Sequence, residues 1–240
     1  MEEADDEDFQ VSPPTQQRVA QRAIVLTILA YRGRLDSQSR NPAAVASWVK
    51  VKDWFGSLNI NEELEPEEEH VFAAPLGTLT FQQAINAGWR TEGAGVLAWA
   101  LNCYSLPKLD EFSNIDEIAD GLGILNSLEK STLYTGRLRS PEEIEHYGSI
   151  ALTIHWRLRQ FGLQPEAIDF EAFVRGAWWG PLSLDGVKLL KKDMAIQNKP
   201  ISKADRQVVE QVQSIAMERH QAINWLMGWD EIYSDVDTST

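Results

Sequence analysis

Ser140-Pro141-Glu142-Glu143 is the clearest start of a helix in the sequence. Serine can cap the first turn, and proline suits the first helical position because it needs no N–H partner there. The glutamate three residues after the cap completes a capping box. The residues that follow predict a helix that runs to Phe161 and ends at Gly162. This start and length are typical of a helical protein.

Further helices are predicted on both sides of this one, each from a capping residue and a run of apolar positions. They cover residues 15–31, 42–56, 66–72, 81–103, 115–119, 165–178 and 203–227. The predicted caps of the first and last are Thr15 and Ser202. Gly88, Gly93 and Gly95 weaken the prediction of one unbroken helix over 81–103, although small residues there would permit close helix packing.

Residues 194–201 follow a different pattern, because two short apolar pieces flank Gln197-Asn198-Lys199. This arrangement predicts a small β-hairpin, in which Pro200 belongs on an edge because it lacks an N–H. The predicted fold class is therefore all-α or nearly so, with at most a short hairpin near 194–201. We expect a single helical domain over residues 15–238, preceded by a disordered acidic tail at 1–14.

The charge of the chain is concentrated in two segments. The formal net charge is −14, and residues 1–8 and 62–69 each hold six acids and no base. The remainder is close to neutral. Because nonspecific nucleic-acid binding needs a basic face, we expect no nucleic-acid partner. The two acidic segments are either solvated charge or an attraction for a basic partner.

The sequence favours a cytoplasmic location. Cys103 is the only cysteine, so no disulfide can form within the chain and nothing points to an oxidising compartment. Six of the first eight residues are acidic and none is basic, the opposite of the start of a secretory signal. The longest largely apolar run, at residues 24–30, is too short to span a bilayer, so we expect no membrane contact.

The common catalytic and metal-binding motifs are absent from the sequence. There is no phosphate-binding glycine loop, no nucleophile-elbow serine motif and no cysteine pair. The four histidines are His70, His146, His155 and His220, and no two lie three or four positions apart on one helix. We therefore expect no metal and no cofactor.

Two charged residues interrupt apolar stripes. Arg219 lies in the stripe of the last helix, and Glu92 lies in that of the helix at 81–103. A buried charge is tolerated when it is paired and hydrogen-bonded, so we expect these two to pair, or each to find another such partner. One interpretation is a structural ion pair that fixes helix register. The other is a polar pocket between helices, with candidate residues Arg90, Glu92, Arg157, Glu218, Arg219, His220 and Asn224.

Several segments also resemble one protein family. They are residues 89–92, 140–144, 155–157, 217–226, 229–232 and 235–238. The last three resemble the closing signature of the family called domain of unknown function 4272, and the likeness covers roughly residues 16–238. The resemblance implies a helical, soluble, mainly bacterial protein. It implies no activity and supplies no catalytic residues.

Two functions are compatible with these patterns. The first is a protein-binding or regulatory protein, such as an adaptor or a toxin antagonist, whose partner is another protein. The alternative is a hydrolase-type enzyme that uses Glu92, Glu218, His220 and Asp230. Convergence of the polar residues in a solvent-reachable cavity would favour the enzyme, and sealed contacts would indicate a structural role.

Overall fold

Helices make up most of the protein, as the sequence predicts. The computed structural model describes residues 12–127, 129 and 131–240. The helices in these ranges are α1 Gln16–Asp36, α2 Pro42–Leu58, α3 Pro66–Ala73, α4 Phe81–Ala100, α5 Ile115–Leu122, α6 Thr132–Thr135, α7 Pro141–Leu163, α8 Phe170–Gly176 and α9 Arg206–Leu226. The strands are β1 Leu189–Leu190, β2 Asp193–Ile196 and β3 Lys199–Pro200. The predicted fold class, mostly helical with a short β element, is confirmed.

The predicted capping box starts α7. The Ser140 hydroxyl accepts a hydrogen bond from the Glu143 backbone N–H at 3.3 Å, and the Glu143 carboxylate accepts one from the Ser140 N–H at 3.1 Å. Two backbone donors that the helix leaves unpaired are thereby satisfied. This start fixes where α7 enters the bundle.

Helix α1 is longer than predicted. It continues past Tyr31 to Asp36, because the buried Arg32 side chain donates to Asp36 and to the Pro75 carbonyl. Gly33 lies within the helix, where a Cβ would come 2.7 Å from the Ala84 carbonyl oxygen of α4. A glycine at this position therefore permits close packing of the two helices and does not end the first.

Two other predicted starts are displaced. Helix α8 begins after Asp169, whose carboxylate accepts from the Ala172 N–H, and does not begin at Pro165. Helix α9 begins after Asp205, not at Ser202, which lies in a short 3₁₀ helix. In both cases an aspartate provides the cap.

The predicted hairpin is part of a three-stranded antiparallel sheet. Strands β2 and β3 pair Ala195 with Pro200 and turn through Gln197 and Asn198, both with positive φ. Pro200 lies on an edge strand, as predicted. Strand β1 pairs with the other side of β2. It was not predicted, because a strand of two residues is too short to show an alternating apolar pattern in the sequence.

Helix α9 connects the main parts of the core. It packs against α4, which packs in turn against α1, and its other side packs against α7. One apolar cluster lies between α1, α4 and α9, and a second lies between α1 and α2. A third joins α7, α8, α9 and the sheet. None of the helices described is long and apolar enough to cross a membrane.

The acidic tail predicted at residues 1–14 lies mostly outside the described residues. Residues 12–14 are described and have no regular secondary structure. The prediction of a single domain over 15–238 stays a prediction.

Candidate functional site

Glu92 and Arg219 form the ion pair that their positions in the two stripes predict. Arg219 Nε and Nη2 lie 2.9 and 2.8 Å from Glu92 Oε2, and both residues are buried. The Ser113 N–H and hydroxyl donate to the same carboxylate at 2.9 and 2.8 Å. The remaining N–H groups of Arg219 reach backbone carbonyls, including that of Glu111 at 2.8 Å. This sealed contact fixes the loop before α5 against α4 and α9.

Arg90 and Glu218 form a second pair on another side of α9, 3.5 Å apart. Burial raises the pKa of Glu218, and the charge of Arg90 opposes that rise. Tyr233 lies beside this pair, with its ring centroid 5.9 Å from the Arg90 guanidinium carbon and 4.7 Å from that of Arg22. The contact joins the C-terminal segment to α1, α4 and α9.

Arg157 is held by a residue that the sequence analysis missed. Its Nε and Nη2 donate to Asp193 at 2.8 and 2.6 Å, and both residues are buried. The backbone N–H groups of Ile168 and Met194 also donate to Asp193. This bidentate pair ties α7 to strand β2. Both carboxylate oxygens of Asp193 accept hydrogen bonds in it.

His220 lies against His155, a pair that the sequence does not predict because the two residues are 65 positions apart. Their Nδ1 atoms are 3.0 Å apart, so one imidazole donates and the other accepts. Burial lowers the pKa of each to about 4, with the Arg159 charge adding to the effect at His155. Both rings are therefore neutral at pH 7.

The last two predicted residues make contacts of their own. The Asn224 amide donates to the Asp237 carbonyl at 3.1 Å, and Asn224 Oδ1 is buried with no donor among the described residues. Asp230 accepts from the Ile232 N–H at 2.8 Å and so closes a surface turn.

The structure thus does not bring the predicted residues together in one pocket. Glu218, Arg219 and His220 follow one another on α9, and consecutive residues on an α-helix point about 100° apart. Each therefore meets a different neighbour: Arg90, Glu92 and His155 respectively. Arg157 belongs to a fourth contact. The charged residues of the predicted pocket therefore lie in separate contacts.

A groove of about 800 Å³ lies beside these contacts. Its walls come from Pro13 and Pro14 before α1, the first half of α7, the turn at Gly180 and Pro181, and the end of α9 with the residues after it. Trp229 stands in the last wall and is 50% exposed. The groove is therefore assembled from four segments that are far apart in the chain.

The floor of the groove is mostly apolar, with two polar groups. Ile144 and Leu152 contribute from α7, and Leu226 contributes from α9. His220 and Asn224, each 1% exposed, are the polar lining residues from α9. An apolar surface with a few fixed polar groups is the usual composition of a ligand-binding site.

The rim of the groove is acidic. Glu142 and Glu145 line it from α7 and are exposed. Arg139, also at the rim, donates to Glu143 at 2.9 Å, so its charge is balanced. The rim's His146 lies 3.1 Å from Asp185.

Sequence reasoning missed most of the groove. Of the predicted site residues, His220 and Asn224 line it, and the others do not. The available signal was the outward face of α7, where Glu142, Glu145 and Ser149 recur at three- and four-residue spacing. That pattern is typical of any solvated helix, so it does not reveal which segments lie opposite. In the described ranges, no group of three or more histidine, cysteine or acidic residues is placed to hold a metal ion.

Comparison with known proteins identifies the family. The family model described as Domain of unknown function (DUF4272) matches residues 5–172, which is more than half of the chain. The chain belongs to this family. The match includes α7 and most of the acidic N-terminal segment, and it ends before the C-terminal signature on which the resemblance partly rested. No curated protein and no solved structure matches the chain.

Proposed function

We propose that this member of the family is a binding protein without catalytic activity, and that its groove accepts a segment of a partner protein. One observation carries the proposal: an apolar groove of about 800 Å³ whose lining includes the buried Asn224, with an Oδ1 that has no donor among the described residues. Adaptors and toxin antagonists are both proteins that cover a segment of another protein, and the proposal includes both.

The contacts of the predicted catalytic residues support binding over hydrolysis. Glu92 is fully engaged by Arg219 and Ser113. His220 is paired through Nδ1 with His155. A general base must be a reachable proton acceptor that lies beside the group it deprotonates. The groups named above are engaged in structural contacts instead.

The length of the groove supports a peptide segment as the occupant. Along α7 the lining runs from Pro141 to Leu152, which spans about 16 Å at 1.5 Å per residue. That length matches about ten residues of a helix or five of an extended strand. The half-exposed Trp229 at the rim is of the residue type that most often anchors protein interfaces.

The proposal includes a cytoplasmic location. The single cysteine, Cys103, is consistent with a reducing compartment.

Two matched tryptophan variants test the proposal. Ser149 lines the groove, and its hydroxyl donates to the Glu145 carbonyl one turn earlier on α7. Ser214 makes the same contact with the Glu210 carbonyl on α9, is also partly buried, and does not line the groove. Ser149→Trp should therefore fill the groove, while Ser214→Trp makes the same chemical change elsewhere.

Peptides selected from a random phage-displayed library against the full chain provide the probe. We expect selected peptides to bind the wild type and Ser214→Trp alike, and to bind Ser149→Trp at least about tenfold more weakly. A library that yields no binder, or binders that Ser149→Trp leaves unaffected, would overturn the proposal. Circular dichroism at matched concentration checks that both variants are folded.

A further inference from the structure

We infer that the segment accepted by the groove is basic, with an apolar stretch flanked by lysine or arginine. This inference rests on the proposed function, because it names the class of partner for the same groove. Three features support it: the rim, the floor and the chain that leads into one wall.

The rim presents unbalanced negative charge. Glu142 and Glu145 lie three positions apart on α7, line the groove and are exposed. Neither has a cation within ion-pair distance in the part of the chain that the structure describes. The cation at the same rim, Arg139, is already paired with Glu143. A ligand that approaches the groove therefore meets two carboxylates that form no ion pair within the described residues, which favours a cationic ligand.

The floor contains a buried hydrogen-bond acceptor that has no donor within the described ranges. Asn224 is 1% exposed, and its Oδ1 has no donor within the described ranges. Its amide nitrogen donates one N–H to the Asp237 carbonyl, and the atom without a partner is the acceptor Oδ1. A backbone N–H, an ammonium or a guanidinium group satisfies it, whereas a carboxylate does not.

The chain that enters the groove wall adds charge of the same sign. Residues 1–8 contain six acids and are joined covalently to Pro13, which lines the groove. Four residues lie between Asp8 and Pro13 in the sequence. Negative charge attached near a binding site in the sequence raises the association rate of an oppositely charged partner.

Three synthetic peptides test the inference. Each has sixteen residues with leucine at the same helical three- and four-residue spacing, and the other positions are all lysine, all glutamine or all glutamate. Fluorescence anisotropy of the labelled peptides measures binding to the full chain at low and high salt. We expect the lysine peptide to bind at least about tenfold more tightly than the glutamate peptide, by a margin that shrinks with salt.

Paired charge variants locate the effect. Glu142→Gln with Glu145→Gln should weaken lysine-peptide binding by at least about threefold and reduce its salt dependence. Glu117→Gln with Asp120→Asn is the matched control, because these exposed acids have the same spacing on α5 and lie outside the groove. This control should bind within about twofold of the wild type.

The outcomes separate the inference from the proposed function. If all three peptides bind equally and Ser149→Trp blocks them all, the inference about charge is overturned and the proposed function stands. If no peptide binds the wild type at millimolar concentration, the proposed function is overturned together with the inference. A third outcome is that the lysine peptide binds Ser149→Trp and the Glu142/Glu145 variant as tightly as it binds the wild type. In that case the net negative charge of the whole chain attracts the peptide, and the inference is overturned.

Discussion

Arg219 Nε donates to Glu92 Oε2 at 2.9 Å, although the two residues are 127 positions apart. The contact joins α9 to α4 inside the core, where Glu92 is 1% exposed. Removal of one partner leaves the other charge buried without compensation, which is far more costly than the loss of a surface pair.

The first prediction concerns this pair. Arg219→Met should lower the free energy of unfolding by about 3–5 kcal/mol, measured by urea denaturation at pH 7. Glu92→Gln added to the same chain removes the stranded charge and should recover part of the loss. A loss below about 1 kcal/mol for Arg219→Met would show that the pair does not hold the helices together.

The second prediction concerns Gly93 and Tyr233. A Cβ on Gly93 would lie 2.3 Å from the Tyr233 hydroxyl oxygen, and its next contacts are ordinary at 3.4 Å or more. That buried hydroxyl has no partner among the described residues. Gly93→Ala should therefore cost about 1–3 kcal/mol alone and far less in a Tyr233→Phe background. Equal costs in both backgrounds, measured by urea denaturation, would contradict this contact.

The third prediction compares two glycines in the helices α1 and α4. A Cβ on Gly33 would lie 2.7 Å from the Ala84 carbonyl oxygen, which belongs to a helix backbone and cannot move alone. A Cβ on Gly88 would meet nothing within 4 Å. Gly33→Ala should lower the melting temperature, and Gly88→Ala should raise it because alanine favours a helix by up to about 1 kcal/mol. The reverse order in a thermal melt would contradict the α1–α4 packing.

The fourth prediction concerns pH and the His155–His220 pair. Both pKa values are lowered from 6.5 to about 4 by burial, so between these limits the unfolded chain binds more protons than the folded one. The contribution of the pair to stability is complete above pH 6.5 and is lost as pH falls toward about 4. We expect a loss of a few kcal/mol over this window.

Urea midpoints at several pH values between 7 and 4 measure this loss. His155→Leu with His220→Leu should flatten the decline, whereas replacement of the exposed His70 by Gln should leave it unchanged. A decline that survives in the double variant would assign the pH dependence to carboxylates elsewhere.

The sequence predicts local features of this fold well. The start of α7 follows from Ser140 and Glu143, which satisfy each other's backbone groups without help from the rest of the chain. The starts of α8 and α9 were displaced because more than one residue near each could cap it, and packing decides between them. Pro200 was placed correctly on an edge because its missing N–H restricts it in any context.

Contacts between distant segments could be predicted only where a charged residue interrupts an apolar stripe and therefore needs a partner of opposite charge. Glu92 and Arg219 could be matched because each charge interrupts an apolar stripe. His155 and His220 could not, since a neutral imidazole is compatible with a core. The groove could not be predicted either, because four distant segments form it and its outward-facing residues have no distinctive pattern.

Nuclear magnetic resonance with the lysine peptide tests most directly whether the groove accepts a peptide segment. Trp229 stands in the groove wall, and Trp178, which is 93% exposed, does not line the groove. In a titration of ¹⁵N-labelled protein, we predict that the Trp229 indole signal and the Gly148 and Ser149 amide signals shift while the Trp178 indole signal does not. A titration in which those groove signals stay fixed at millimolar peptide would contradict the account.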